Sequence, residues 1–446
     1  MKIQSALRIT GKLSLSGDKS ISHRAALIAA LAEGRSVLSN FSTSADCNST
    51  LNCLRSLGVA LSRTGNEVVI EGTGPSGLKA PEAPLDCGNS GSTMRMLAGV
   101  LAGCDFASIL TGDESLRSRP MKRIIEPLQL MNAEVDSVSG RPPLQIRGSR
   151  SVRAISYLLP VASAQVKSCV LLAGLQANGE TEVIERLGST RDHTERMLQW
   201  FGAAVQTRSN ESDGHLGTTV ALNGPARLSA RDIRIPGDLS SAAFLIAAAA
   251  LLPGSDLAIE GVGLNPTRTA FLSILQANGL SVLEDEVRNE CNEPVGTVRV
   301  RGGSAGEPVR AFHPGAVNVV WGGLIPKLID ELPLLAVVGS QINGGLTISD
   351  AAELRVKEAD RIRATVCNLR AMGATVDEFE DGLRVFGPTK LNGAEIDSFG
   401  DHRIAMAFSV AALLADGPSE IAGADCVAIS FPEFFELLES VTERVA

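Results

Sequence analysis

The segment LRVKEADRIR (354–363) contains the residue types of an anion-binding and proton-transfer site. Lys357 and Arg361 are four residues apart, so a helix would place both on one face, with Glu358 at its edge. Two cations attract a phosphate or carboxylate, and a neighbouring carboxyl group can exchange a proton with a substrate. Such a run alone is more often a salt-bridged helix surface, so it indicates a site only if other segments agree.

Similar polar groups stand at the start of five further segments. They are Lys19, Ser20 and Arg24; Asn89, Ser90 and Arg95; Ser163, Gln165 and Lys167; Asp330 and Glu331; and Asp401, His402 and Arg403. A single charged residue at a helix start is usually only a cap. Recurrence favours function, because the free N–H groups and positive dipole of a helix N-terminus attract anions.

The elements that must position these groups are repeated along the chain. Polar openings begin runs of small apolar residues at 17, 90, 163, 237, 330 and 401, which are 73, 73, 74, 93 and 71 residues apart. We predict a buried helix over each of 17–34, 90–103, 163–179, 237–254, 330–345 and 401–417. Such self-similarity is typical of a protein built from repeated supersecondary units.

A second, more amphipathic element follows each of these helices. In the first five units it ends at a Gly or Asn, which predicts a helix C-cap, and a β-like run follows; only the sixth unit lacks this stop. Each unit thus has two helices and three or four short strands. The six units divide into two domains, 16–234 and 1–15 plus 235–446, and the first strand, MKIQSALRIT, pairs with the last unit. We read 289–307 as a surface insertion.

Composition excludes several classes of protein. The net charge of −9 disfavours binding to nucleic acid, which requires cations to neutralise phosphates. The longest apolar run, 242–252, is too short to span a bilayer, and the N-terminus lacks the apolar region of a signal peptide, so we expect a cytoplasmic protein. The eight cysteines form no CxxC pair, and the five histidines have no HxxxH spacing, so we expect no metal.

A set of motifs in one order along the whole chain resembles the EPSP synthase (3-phosphoshikimate 1-carboxyvinyltransferase) family of enolpyruvyl transferases. They are GDKSISHR (17–24), LDCGNSGSTMR (85–95), SRP (118–120), SAQVKS (163–168), STRDHT (189–194), PGDLSSAAF (236–244), IDELP (329–333), LRVKEADRI (354–362) and DHRIAMA (401–407). The resemblance implies an α/β (α+β) fold of two similar domains, each of three βαβαββ units, which close on substrates. It implies transfer of the enolpyruvyl group of phosphoenolpyruvate to the 5-hydroxyl of shikimate 3-phosphate, with no metal or organic cofactor.

The resemblance also implies roles for individual residues. Shikimate 3-phosphate would be bound by Lys19, Ser20, Arg24, Ser163, Ala164, Gln165, Arg191, Asp330 and Lys357. Phosphoenolpyruvate would be bound by Lys19, Asn89, Gly91, Arg119, Gln165, Arg361 and Arg403, with Arg95 and His402 in support. Arginine suits these anions because its planar fork matches carboxylate and phosphate oxygens.

The chemistry requires a base and an acid. By resemblance Asp330 accepts the hydroxyl proton, Glu358 protonates the methylene carbon and Lys19 stabilises charge. How Asp330, Glu358 and Lys357 divide the proton transfers stays open. Some members carry a Lys near the C-terminus where this chain has Ile429, so that contact is not carried over. The resemblance further implies inhibition by glyphosate, since Gly91 leaves room in the phosphoenolpyruvate pocket.

Two alternatives remain. A UDP-N-acetylglucosamine enolpyruvyl transferase would share the repeated units, but it usually has a loop Cys or Asp as acid, and TGDESLRSRP (111–120) has no Cys. A non-catalytic or RNA-end-processing relative would lack the set Lys19, Asp330 and Glu358, which is present here. We expect a monomer that acts on small molecules, with no nucleic-acid or membrane partner.

Overall fold

The computed structural model of the chain describes residues 1–186, 188–212, 215–303 and 318–444. Fourteen α-helices lie in these ranges: α1 Lys19–Leu31, α2 Ala45–Ser56, α3 Gly91–Leu101, α4 Glu114–Ser118, α5 Lys122–Leu130, α6 Ala164–Gly174, α7 His193–Trp200, α8 Leu239–Leu251, α9 Ala270–Ala277, α10 Ile325–Leu328, α11 Leu332–Gly339, α12 Arg361–Ala371, α13 His402–Leu414 and α14 Phe434–Val441. Short 3₁₀ helices cover Pro75–Gly77, Gly322–Leu324, Ala352–Val356 and Ala424–Ile429.

Twenty-five strands lie in the same described ranges. They are β1 Lys2–Ile3, β2 Arg8–Ser14, β3 Ala32–Ser39, β4 Ala60–Thr64, β5 Glu67–Thr73, β6 Leu85–Asp86, β7 Ala107–Thr111, β8 Glu134–Val138, β9 Arg141–Arg147, β10 Ser156–Leu158, β11 Gly179–Glu185, β12 Val205–Ser212, β13 His215–Gly224, β14 Leu228–Ser229, β15 Ile233–Arg234, β16 Asp256–Gly263, β17 Ser281–Glu290, β18 Glu293–Arg301, β19 Val319–Val320, β20 Leu346–Ile348, β21 Val376–Phe379, β22 Gly382–Val385, β23 Glu395–Asp397, β24 Ser419–Ala422 and β25 Thr442–Glu443.

One pattern of strand pairing recurs in the sheets. In the sheet β6-β7-β9-β8, β6 pairs parallel with β7, and β9 is antiparallel to both β7 and β8. With α3 between the parallel strands and α5 before the hairpin, this is a βαβαββ unit. The orders β10-β11-β13-β12 and β19-β20-β22-β21 repeat it, and β14 and β15 both pair with β3 in the sheet β14-β3-β5-β4. The predicted α/β class and repeated units are confirmed.

The six predicted small-residue helices are present and largely buried. They are α1, α3, α6, α8, α11 and α13, and in α8 all 13 residues are buried. Small side chains let such helices approach closely. At Gly99 of α3 an added Cβ would lie 2.2 Å from the carbonyl oxygen of Cys169 in α6, so only glycine permits this packing.

The helix stops are also confirmed. Gly58, Gly202, Gly279 and Gly373 all have positive φ, and so does Asn132, with φ of 74°. These residues follow α2, α7, α9, α12 and α5 respectively. Left-handed backbone at this position ends a helix, and Gly or Asn adopts it at least cost.

The described chain divides into two compact units. One comprises Met1–Leu15, Pro236–Arg288 and Pro294–Ala446, and the other comprises Ser16–Ile235 with Asn289–Glu293. In the first unit β2 runs parallel to β16, and β1 pairs antiparallel with β24 of the sixth repeat. In the second, β15 runs parallel to β3. Each of these three sheets is therefore completed by a strand from a distant part of the sequence.

The predicted surface insertion at 289–307 is wrong for most of its described part. Residues 293–301 form β18, which lies between β17 and β16 in the sheet β17-β18-β16-β2-β25 and buries Val298 and Val300. The polar residues that suggested a loop lie at the β17–β18 turn, where Cys291 and Asn292 have positive φ. The remainder, 304–307, lies outside the described residues. No helix in the described ranges is long and apolar enough to cross a membrane.

Candidate active site

The polar helix openings act first as caps. In the unit that contains α1, α3 and α6, the side chains of Asp18, Ser90 and Ser163 accept hydrogen bonds from backbone N–H groups in the first turns of these helices. Such caps stabilise helix starts. The residues that directly follow the caps are Lys19, Gly91 and Ala164, so the predicted binding residues stand at the positive ends of the helices.

Lys19 forms an ion pair that the sequence did not reveal. Its Nζ lies 2.8 Å from Oδ2 of Asp46, and the two side chains are 15% and 8% exposed. Asp46 belongs to the first turn of α2, in the run SADC, and this acidic start was the available signal. The pair fixes the direction of Lys19 while leaving the amino group partly accessible.

Arg24 is buried among neutral oxygen atoms. Its Nε donates to Oγ1 of Thr194 at 2.6 Å, its Nη2 to Oγ of Ser168 at 2.9 Å, and its Nη1 to the carbonyl oxygen of Ser20 at 2.8 Å. No carboxylate of the described residues forms an ion pair with it. Burial and the nearby charge of Arg191 lower the pKa of Arg24 to about 10, although Glu195 opposes this.

A second cluster joins the starts of α3 and α6. Nη1 of Arg95 donates to Oε1 of Gln165 at 2.6 Å, and Nε2 of Gln165 donates to Oγ of Ser92 at 2.8 Å. An added Cβ at Gly91 would lie 2.8 Å from Nη1 of Arg95 and 3.5 Å from Nη1 of Arg119. Gly91 therefore leaves open the space beside two guanidinium groups.

Arg119 is the capping residue that ends α4 and is buried. Its Nη2 donates to Oδ1 of Asn89 at 2.6 Å and to Oγ of Ser115 at 3.1 Å. Nδ2 of Asn89 donates to Oδ2 of Asp113 at 2.7 Å. Asn89 thus orients Arg119 towards the start of α3 without neutralising its charge.

Lys167, which stood among the polar openings, has a structural role instead. Its Nζ lies 3.0 Å from Oε2 of Glu185 and 2.7 Å from Oε1 of Glu195, and all three side chains are buried. Burial disfavours the charge of Lys167, but the two carboxylates outweigh it and raise the pKa of Lys167. The charge of Lys167 is therefore neutralised by carboxylates of the protein itself.

In the other unit, three carboxylates surround the buried Arg361. Nε of Arg361 lies 2.7 Å from Oδ2 of Asp401, Nη2 lies 2.7 Å from Oε2 of Glu358, and Nη1 lies 3.4 Å from Oδ1 of Asp330. Burial disfavours its charge, but these carboxylates outweigh that cost and raise the pKa of Arg361. One guanidinium thus holds both predicted proton-transfer residues, Asp330 and Glu358.

The expectation that Lys357 and Arg361 share a helix face is wrong. α12 begins only at Arg361, because the side chain of Asp360 accepts a hydrogen bond from N–H of Arg363 and caps the helix there. Lys357 has an extended backbone and lies before the helix. Its Nζ lies 3.0 Å from Oε1 of Glu353, and both side chains are partly exposed.

Arg403 in the first turn of α13 has few partners. Its Nη1 donates to the carbonyl oxygen of Ser240 at 3.4 Å, its guanidinium lies 6.0 Å from the ring centre of Phe244, and its side chain is buried. Like Arg24, it forms no ion pair with a carboxylate of the described chain. Asp401 caps α13 with an oxygen that accepts from N–H of Arg403 at 2.8 Å. His402 begins this helix and is buried.

Glu331 is paired within the protein and is not accessible to solvent. It is buried, it lies 3.8 Å from Nη2 of the buried Arg268, and it accepts a hydrogen bond from the hydroxyl of Ser240. This pairing could not be predicted from the sequence, since Arg268 lies 63 positions before Glu331. Over the described ranges, no group of three or more His, Cys, Asp or Glu is arranged to hold a metal ion.

Comparisons with known proteins extend over the whole chain. Residues 3–438 match the family described as EPSP synthase (3-phosphoshikimate 1-carboxyvinyltransferase). The chain belongs to the EPSP synthase family. It is 50% identical over 447 residues to the 3-phosphoshikimate 1-carboxyvinyltransferase of Koribacter versatilis (100% of this chain, 99% of the relative). It is 49% identical over 443 residues to that of Solibacter usitatus (99% of each).

A solved structure agrees with this assignment to the EPSP synthase family. The structure of EPSP synthase from Acinetobacter baumannii matches with a TM-score of 0.83 at 39% identity, and the match covers 99% of this chain and 97% of that one. The fold predicted from the repeats is thereby confirmed. The family assignment favours the shikimate-phosphate reading over the UDP-N-acetylglucosamine alternative.

The residues expected from resemblance to EPSP synthases fall into two groups, one in each unit. Lys19, Ser20, Arg24, Asn89, Gly91, Arg95, Arg119, Ser163, Ala164, Gln165 and Arg191 lie in the unit Ser16–Ile235. Asp330, Lys357, Glu358, Arg361, His402 and Arg403 lie in the other. Hydrogen bonds or ion pairs connect Arg24 to Ser20, Arg95 to Gln165, Arg119 to Asn89, and Arg361 to both acids.

Proposed function

We propose that the protein is a 3-phosphoshikimate 1-carboxyvinyltransferase. It transfers the enolpyruvyl group of phosphoenolpyruvate to the 5-hydroxyl of shikimate 3-phosphate and releases phosphate. Membership of the EPSP synthase family supports this reaction. The geometry of individual residues and the resemblance of their motifs support the role of each.

One observation carries the proposal: two buried arginines lack a carboxylate partner in the described chain. Arg24 has only hydroxyl and carbonyl partners, and Arg403 has one carbonyl contact at 3.4 Å. A buried charge without a counterion is costly, so such a site gains free energy when an anion binds. Both substrates of this reaction are multiply charged anions, and the two arginines are suited to receive them.

We assign shikimate 3-phosphate mainly to the unit that contains α1 and α6. Arg24 and Ser20 bind one of its anionic groups, with Arg191 nearby, since Nη1 of Arg191 lies 3.5 Å from Oγ of Ser20. Ser163, Ala164 and Gln165 stand at the start of α6, where N–H groups favour an anion. Lys357, from the other unit, binds near the reacting hydroxyl.

We assign phosphoenolpyruvate to arginines from both units. Arg119, oriented by Asn89, contributes beside Gly91, and Arg361 and Arg403 contribute from the starts of α12 and α13. Planar guanidinium groups bind carboxylate and phosphate oxygens in pairs, which orients the substrate as well as attracting it. Lys19 contacts both substrates, Arg95 supports the loop, and His402 helps to orient the groups that transfer protons.

Proton transfer falls to two of the three carboxylates that contact Arg361, Asp330 and Glu358. Asp330 accepts the proton of the 5-hydroxyl, and Glu358 donates a proton to the methylene carbon of phosphoenolpyruvate. Their shared contact with Arg361 supports this pairing, because it holds both acids near a cation that we assign to phosphoenolpyruvate. Loss of phosphate from the resulting tetrahedral intermediate, together with return of one proton from its methyl group to a carboxylate, forms the enol ether, while Lys19 stabilises the charge that develops.

The proposal includes a domain division of labour, in which 16–234 binds shikimate 3-phosphate while 1–15 plus 235–446 provides the acids and two arginines. A monomeric state and a cytoplasmic location also stay predictions. Sedimentation at micromolar concentration tests the monomer, and cell fractionation tests the location.

Release of inorganic phosphate tests the reaction directly. We expect release only when phosphoenolpyruvate and shikimate 3-phosphate are both present, and we expect it to continue with a chelator. Release with UDP-N-acetylglucosamine in place of shikimate 3-phosphate would establish the rival transferase. A folded protein that releases no phosphate, with either shikimate 3-phosphate or UDP-N-acetylglucosamine as the acceptor, would contradict the proposal.

A further inference from the structure

The hydroxyl groups around Arg24 have a defined donor order. Ser168 Oγ donates its only proton to the carbonyl oxygen of Ala164 at 2.6 Å, so it must accept the hydrogen bond from Arg24. Thr194 Oγ1 lies 2.7 Å from Ser168 Oγ and must then donate to it, while accepting from Nε of Arg24 at 2.6 Å. Both hydroxyl protons, of Thr194 and Ser168, are thus donated in these hydrogen bonds, so the guanidinium of Arg24 is held in one orientation.

Carboxylates are close by but are directed elsewhere. Glu195 directly follows Thr194 in α7, and Lys167 directly precedes Ser168 in α6. Oε1 of Glu195 lies 2.7 Å from Nζ of Lys167, so the acid next to the hydroxyl chain neutralises the lysine rather than Arg24. The fold therefore places neutral oxygen atoms around Arg24 and leaves its positive charge without a carboxylate counterion from the described residues.

We infer that Thr194 and Ser168 are positioning residues for Arg24, which fix its guanidinium through neutral hydroxyls so that shikimate 3-phosphate supplies the counterion. The hydroxyl chain ends on Ala164, at the start of α6, so it also aligns that helix start with Arg24. A carboxylate in place of Thr194 would hold Arg24 equally well but would compete with the substrate. The inference rests on the proposed function and adds two residues that do not themselves contact substrate.

The decisive variants are Thr194→Val, which keeps the shape but removes the hydroxyl, and Thr194→Ser, which restores it. We expect Thr194→Val to raise the Kd for shikimate 3-phosphate about tenfold or more, because hydrogen bonds to a charged group are strong. The KM for phosphoenolpyruvate should change less than about twofold, and Thr194→Ser should return the Kd close to that of the natural protein. Ser168→Ala should also raise the Kd for shikimate 3-phosphate, and it provides a second measurement if Thr194→Val does not fold.

Thr181→Val is the matched control. Thr181 is a fully buried threonine of β11 in the same unit, and within the described part of the chain its hydroxyl has no hydrogen-bond partner. We expect this variant to bind shikimate 3-phosphate normally. If Thr194 acts through Arg24, then Thr194→Val should add little to the loss already caused by Arg24→Lys.

The outcomes separate the inference from the proposed function. A natural protein that releases no phosphate with both substrates would overturn the proposed reaction. An active natural protein in which Thr194→Val lowers thermal stability but leaves the Kd for shikimate 3-phosphate unchanged would overturn the inference alone. Additive effects of Thr194→Val and Arg24→Lys would also overturn it, since they would mean that Thr194 acts independently of Arg24.

Discussion

Glu358→Gln separates the chemical role of Glu358 from its structural role. The carboxylate is 18% exposed, and its Oε2 accepts a hydrogen bond from Nη2 of Arg361 at 2.7 Å. Glutamine keeps an oxygen at this place but has no acidic proton. Arg361 retains Asp401 at 2.7 Å, so we expect the free energy of unfolding to fall by only about 1 kcal/mol.

The effect on the reaction should be much larger. A positioned general acid contributes about 100-fold to 10,000-fold, so kcat should fall at least about 100-fold, or about 2.7 kcal/mol in the barrier. The KM for phosphoenolpyruvate should stay constant or fall. Glu358 competes with the substrate for Arg361 in the free protein, and the neutral amide competes less.

Steady-state phosphate release, at varied concentrations of each substrate, measures both constants, and urea unfolding measures stability. Glu378→Gln is the matched control, because Glu378 lies 3.1 Å from Nη2 of Arg355 in a partly exposed ion pair of the same unit. Its activity should equal that of the natural protein. A kcat within tenfold of normal in Glu358→Gln, or a raised KM with an unchanged kcat, would refute the assignment of Glu358 as the acid.

Three further perturbations test other parts of the site. Gly91→Ala places a methyl group 2.8 Å from Nη1 of Arg95, so the KM for phosphoenolpyruvate should rise about tenfold or more and inhibition by glyphosate should weaken; unchanged constants would contradict the expected crowding. Affinity for shikimate 3-phosphate should fall as pH rises through about 10, because the pKa of Arg24 is lowered to about 10 and only its protonated form attracts the anion. Titration calorimetry between pH 8 and 10.5 measures this, with constant affinity as the contrary result. Asp401→Asn keeps the cap of α13 but removes the buried counterion of Arg361, so urea unfolding should show a loss of about 3 kcal/mol, and unaltered stability would argue against that ion pair.

The repeats were predictable from sequence because their signals are local. Buried small-residue helices and Gly or Asn stops depend on residues within one element, and the left-handed φ of Asn132 and Gly373 matches the sequence prediction. The start of α12 could not be predicted, because the four-residue spacing of Lys357 and Arg361 is compatible with a helix that includes both and with one that begins at Arg361. The cap by Asp360, which places the helix start at Arg361, decides between the two structures.

Ion-pair partners could not be predicted, because they depend on which elements pack together. Asp46 is 27 residues from Lys19, and Asp401 is 40 residues from Arg361. Lys167 illustrates the same limit. Its position in a polar helix opening is typical of a group that attracts an anion, whereas Glu185 and Glu195 from β11 and α7 neutralise it. The domain boundaries, the site roles and domain closure stay predictions.

The buried cations of this protein are treated in two ways, and the difference follows the proposed chemistry. Arg361 has three carboxylate partners, of which two are the residues that must exchange protons with substrate. Because these acids need to stay oriented before substrates arrive, the protein itself must provide their cation. Arg24 and Arg403 have neutral partners instead, so their full charge is available to substrate anions, whereas phosphoenolpyruvate must share Arg361 with the two acids. A carboxylate beside either would stabilise the free protein and weaken binding by a comparable amount, which is why neutral oxygens are the better choice there.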